Sequence, residues 1–200
     1  TALRKALRRA GWPLSFSQGF NKHEKLHFDR PVPLYMLSRS EIVICELYER
    51  LEPAVLLQNL QSQLPAGMEV LHLEEVVAVK MPVLTEESYL LEFEDEHCKE
   101  STMRALEALP ESGMFYHRKK KKMRERILRN AILRLEDTDH SIELTVRSGR
   151  EYASIQEILA TALLPVERWN VDVTVTKQGL AKSEPLIQFQ AAASAAAAGR

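Results

Sequence analysis

Between Ser15 and Lys25 the chain gathers side chains able to hold a phosphate and stack a base. These are the Ser17 hydroxyl, the Gln18 and Asn21 amides, the Phe20 ring, His23, and the ammonium groups of Lys22 and Lys25. Gly19 sits among them, and a residue without a Cβ lets the backbone approach a ligand closely. The stretch has no hydrophobic period, so it reads as a structured loop. The alternative is a polar loop that hydrogen-bonds to itself.

Two clusters of cations set the electrostatics. Directly before the loop, Arg4, Lys5, Arg8 and Arg9 fall on one face of a helical pattern whose other face is Leu3, Ala6, Leu7 and Ala10, with Gly11 as a stop. They extend the loop's anion surface, or they are a solvated helix face. The second cluster is denser: Arg118, Lys119, Lys120, Lys121, Lys122, Arg124, Arg126 and Arg129. Like charges in such succession repel one another unless an anion neutralises them, which favours nucleic-acid phosphate over a flexible solvated loop. Phe115 and Tyr116 adjoin this run, placed either to stack on bases or to end a strand in the core. The net charge of −1 conceals this concentration: outside 1–28 and 118–134 the chain has 12 basic against 26 acidic residues. The body is acidic and the basic charge is local.

Other chemistry is less well supplied. The six histidines, His23, His27, His72, His97, His117 and His140, show no metal-ligand spacing, so no metal site is expected. Cys45 and Cys98 are too few for a disulfide framework, and Cys45, on a predicted strand, is expected to be buried. Asp29, beside His27 and Arg30, reads first as a structural pairing and second as an acid/base group. No nucleophile elbow, phosphate loop or dinucleotide fingerprint occurs.

The elements that must position these residues follow from period and punctuation. The 45% hydrophobic and 28% charged content of the 200 residues is enough to bury a core, in one domain or two small ones. No apolar run approaches the roughly 20 residues of a membrane-spanning helix. The Arg-rich start lacks the apolar centre of a signal peptide, and without an initiator Met it reads as a fragment or processed start. A reducing cytoplasm fits. Strands are predicted over 41–49, 68–79, 87–94 and 171–176, with a hairpin from 132–136 and 141–147. Helices are predicted over 53–64, 97–109 and 154–164, the last opened by the capping pair Ser154 and Glu157.

This order gives an α+β fold of two tandem ferredoxin-like halves, antiparallel sheets with helices on one face. The expected organisation is 1–81 with the basic helix and loop, 82–182 with the basic tract, and an irregular tail over 183–200. One continuous sheet shared by both halves would give the same pattern.

Several segments together resemble a known family. They are Ala6 to Leu14, the Phe16-Ser17-Gln18-Gly19-Phe20-Asn21 run, His23, Lys25, Leu26, Phe28, Pro31 to Leu34, and the closing Lys177, Gly179 and Leu180. The chain resembles the bacterial radical-SAM-linked domain of unknown function, found fused to or encoded beside radical SAM proteins. It departs from that pattern where Lys22 and Glu24 replace prolines beside His23, which predicts a looser loop. The resemblance implies partnership with radical SAM chemistry in RNA or ribosome metabolism. No cluster-binding cysteine motif is in this chain, so an iron–sulfur cluster and S-adenosylmethionine would belong to the partner. The expected function is an accessory domain that recognises RNA or ribonucleoprotein and presents it to that partner. The alternatives are an RNA-modifying enzyme of pseudouridine-synthase-like architecture, with Asp29 as its acid, and an interaction module whose acidic surface contacts a ribosomal protein.

Overall fold

The structure is a computed structural model describing residues 2–29, 32–76, 84–117, 121–162, 164, 166–169 and 172–183. In chain order the elements are α1 (Ala2–Arg9), β1 (Leu26–Phe28), β2 (Met36–Ser38), β3 (Val43–Cys45), α2 (Pro53–Gln61), β4 (Leu84–Phe93) and α3 (Glu96–Glu107). The hairpin β5 (Ser112–His117) and β6 (Lys122–Ile127) comes next. Then follow β7 (Ile132–Thr138), β8 (Ser141–Arg147), α4 (Ile155–Thr161) and β9 (Val173–Ser183). The chain divides into two compact units. Of the described residues, the first takes those within 2–29 and 42–76 and the second those within 32–41 and 84–183, so β2 belongs with the second.

In the first unit α1 buries Ala6 and Leu7 with Leu14 and Leu60, and Leu3, Trp12, Leu26 and Leu47 pack around them. Gly11, at φ +70°, ends the helix in the left-handed region, where a Cβ would be strained. The Trp12 indole then donates to the Leu56 carbonyl at 3.1 Å, tying the following loop to α2. The described strands of this unit, β1 and β3, pair antiparallel from Leu26↔Cys45 to Phe28↔Val43. The predicted strand over 41–49 is thus only three residues long. The strand predicted over 68–79 is corrected: 68–76 is irregular, and 77–79 lie outside the described residues. Its alternation does not extend to a partner, and the Val70 N–H is taken by the Gln61 side-chain oxygen at 3.0 Å.

The second unit carries a five-stranded mixed sheet of order β2-β9-β4-β8-β7, with β2 parallel to β9 and the other neighbours antiparallel. Every second residue faces one side: Tyr89, Leu91 and Phe93 of β4, Ile142, Leu144 and Val146 of β8, Val173 and Val175 of β9. That face is buried with Leu106 of α3 and with Ile158 and Leu159 of α4. Asp95 caps α3 by accepting from the His97 and Cys98 N–H groups, and Ser154 and Glu157 form the expected capping box on α4. Lys99, its side chain almost fully buried, donates to the Thr138 and Asp139 carbonyls at 2.8 and 3.1 Å and pairs with Glu96 and Asp137, each at 2.9 Å. It fastens α3 to the β7–β8 turn.

Candidate anion-binding sites

In the first unit, part of the predicted cationic surface is spent internally. The Glu24 carboxylate is buried and accepts from the Arg8 guanidinium, with Arg4 at 4.0 Å. A hydrogen bond from its own backbone N–H, then Arg8 and Arg4, hold this carboxyl below the usual carboxylate range against the upward push of burial. Glu46 likewise takes Lys25 and His27, each at 2.8 Å, and these two bonds depress its carboxyl. Lys5, Arg9 and Lys22 have no carboxylate partner among the described residues. Arg9 donates to the Gln63 carbonyl at 3.4 Å.

The loop is closed at its base by hydrogen bonds between Ser17 and His23. The Ser17 N–H donates to the His23 carbonyl at 2.8 Å, and the His23 N–H donates to the Ser17 hydroxyl at 3.0 Å. An isolated bridge joins Phe16 to Glu24 just outside them. Arg8 and Arg4 therefore hold one stem of the loop while Ser17 closes it. Gln18, Gly19, Phe20, Asn21 and Lys22 form an exposed tip, with Gly19 at φ +129° and Phe20 fully exposed. Asp29 ends β1, its N–H donating to the Ile42 carbonyl at 3.1 Å. Burial pushes the Cys45 thiol up to about 11, so it is no reactive thiolate.

In the second unit, the basic tract becomes the far strand of a hairpin. Arg118, Lys119 and Lys120 lie outside the described residues. Lys121 is exposed at φ +47°, and Lys122, Arg124 and Arg126 alternate along β6 opposite His117, Phe115 and Gly113. None of these three has a carboxylate partner among the described residues. The other hairpin face exposes Met114, Tyr116 and Met123, whereas Phe115 packs toward the core. Arg129 is structural: it donates to the Leu109 carbonyl at 2.9 Å and satisfies the end of α3.

A cleft of about 410 Å³ opens in the same unit beside Arg126. The inward alternation that builds the core continues past it, so Glu87 of β4 and Lys177 of β9 follow Tyr89 and Val175 on the same sheet face. Both reach this cleft, where Lys177 Nζ is 3.2 Å from Glu87 Oε1 and 3.7 Å from Glu41, with side chains 4%, 10% and 39% exposed. The Ser148 hydroxyl donates to Glu87 Oε2 at 3.3 Å. Arg147, the last residue of β8, and Arg150, from the loop between β8 and α4, complete the cationic lining, and the Arg147 guanidinium sits 5.8 Å from the Tyr152 ring centroid.

Sequence reasoning placed Arg126 in a site and Lys177 in the resemblance, but it left Glu87, Arg147, Arg150 and Tyr152 unassigned. The available signal was the Arg147-Ser148-Gly149-Arg150 turn, two cations about a glycine directly before a helix cap. Among the described residues, no group of His, Cys, Asp and Glu could hold a metal ion. No described helix is long and apolar enough to cross a membrane.

No curated protein and no solved structure matches the chain. A family model described as "Uncharacterized protein conserved in bacteria (DUF2344)" matches residues 1–161. With its helix, its Ser17 to Asn21 loop and most of the second unit inside that match, the chain belongs to this bacterial family.

Proposed function

We propose that the chain is an accessory domain that recognises RNA or ribonucleoprotein and presents it to a radical SAM partner. The observation that carries this reading is the β5–β6 hairpin, where three cations without carboxylate partners among the described residues alternate along β6 and the opposite face exposes Tyr116 of β5. Cations in a row without carboxylate partners among the described residues suit a phosphate backbone, and the exposed ring on the opposite face offers a separate surface on which a base can stack. The pinned loop of the first unit adds a fully exposed Phe20 with the Gln18 and Asn21 amides around it. The radical SAM partnership rests on the resemblance of the Ser17 to Asn21 segment, and in this reading the iron–sulfur cluster and S-adenosylmethionine reside on the partner. The strand-helix-strand-strand-helix-strand order of β4, α3, β7, β8, α4 and β9, with sheet order β9-β4-β8-β7, supports a ferredoxin-like reading of the second unit.

Binding of a fluorescein-labelled RNA stem-loop, followed by anisotropy across a salt series, tests the proposal. Affinity falls linearly on a log–log plot. The Lys122→Gln/Arg124→Gln variant lowers the steepness by about 1 to 2, because each lost phosphate contact removes about 0.7 to 0.9. Binding indifferent to salt, or unchanged in the variant, overturns it.

A further inference from the structure

The cleft of the second unit has features that docking on an RNA backbone does not require. We infer that it is a pocket for one nucleotide, whose phosphate is received by Arg126, Arg147 and Arg150 and whose base lies on the apolar lining from Pro33 and Met36. The inference deepens the RNA reading and rests on it, naming the part of the RNA that enters this unit.

Size is the first argument. A volume of about 410 Å³ falls among small-molecule sites, which run from about 300 to 1,000 Å³, and is far too small for a duplex. Charge is the second. The lining holds four cations, Arg126, Arg147, Arg150 and Lys177, against two carboxylates, Glu87 and Glu157. Both carboxylates are already committed: Glu87 to Lys177 and Ser148, and Glu157 to the Ser154 N–H and hydroxyl at 2.7 and 2.9 Å. No carboxylate among the described residues pairs with the three arginines, whose planar forks match phosphate oxygens two at a time. Orientation is the third, since the Tyr152 ring backs the Arg147 guanidinium. Arg147 and Arg150 are exposed, so replacing them leaves the core intact.

Calorimetric titration of the whole chain with adenosine 5′-monophosphate, inorganic phosphate and adenosine tests the pocket. The monophosphate binds saturably, and the two fragments bind at least about tenfold more weakly. Arg147→Gln/Arg150→Gln weakens the monophosphate about ten- to hundredfold, as expected for lost bonds to a charged group. Arg147→Lys/Arg150→Lys, which keeps the charge but loses the fork, falls between. Lys122→Gln/Arg124→Gln leaves monophosphate binding unchanged.

Absence of saturable monophosphate binding, equal affinity for inorganic phosphate, or wild-type affinity in Arg147→Gln/Arg150→Gln overturns the inference. If the stem-loop still binds with a steep salt dependence in those cases, the RNA reading stands without the pocket. Monophosphate binding alongside a stem-loop indifferent to salt leaves the pocket and removes the RNA reading.

Discussion

Arg8 and Glu24, sixteen residues apart, form an ion pair in which the carboxylate is buried and the guanidinium remains about two-thirds exposed. This pair joins the first helix to the stem of the exposed loop, so part of what looks in sequence like a cationic binding face is scaffold for the loop beside it.

Glu24→Gln should therefore loosen the first unit. The expected loss is about 1 kcal/mol, above an exposed pair and below a fully buried one, because Arg8 keeps its access to water. The folded-state carboxyl titrates below its ordinary value of 4.5, so its contribution is fully present above that value and fades as the pH falls through the lower folded value. Chemical denaturation of wild type and variant at neutral and acid pH measures both. A gap that widens toward acid contradicts the assignment.

Phe20→Ala should separate stability from recognition. The ring is fully exposed, so the thermal melt stays unchanged. RNA affinity should fall about five- to hundredfold if the ring stacks on a base, by the usual worth of about 1 to 3 kcal/mol per stacked base. An anisotropy titration with unaltered affinity removes the loop tip from the interface.

Lys99→Met should lower the melting temperature by several degrees, because one ammonium satisfies two carbonyls and two carboxylates between α3 and the β7–β8 turn. Hydrogen bonds to Glu96 and then Asp137 raise the Lys99 value above 10.5. Its contribution is thus complete below that value and lost as the pH rises through the higher folded one. Melts from neutral to alkaline pH check this, and Lys5→Met serves as the exposed control.

Ser154→Ala should cost about 1 kcal/mol, since the hydroxyl caps the Glu157 N–H and its removal breaks the reciprocal box. Hydrogen exchange at the first turn of α4 should accelerate selectively. Uniform protection across wild type and variant would show that the cap contributes nothing.

Much of the local structure is legible in the sequence. Gly11 ends α1, Pro53 opens α2, and the 132–147 hairpin and the Ser154 box stand where period and punctuation place them. These features depend on backbone conformation and on neighbours a few residues away, which one stretch of sequence contains. The predicted strand over 68–79 failed because alternation states only which side chains share a face. It supplies no partner for the N–H groups, and the Val70 N–H went to Gln61 instead.

The sequence by itself determined where the cations are concentrated, which segment makes the exposed loop, and where Gly11, Pro53 and Ser154 bound their helices. Tertiary structure alone decided which charges are already neutralised: Arg8 by Glu24, Lys25 by Glu46, and Lys177 by Glu87, partners separated by 16, 21 and 90 positions. It also brought Arg126 to the same cleft as Arg147 and Arg150. Helix and strand periods are short-range consequences of backbone geometry, whereas ion pairing depends on distances through space that sheet order and register set only after folding.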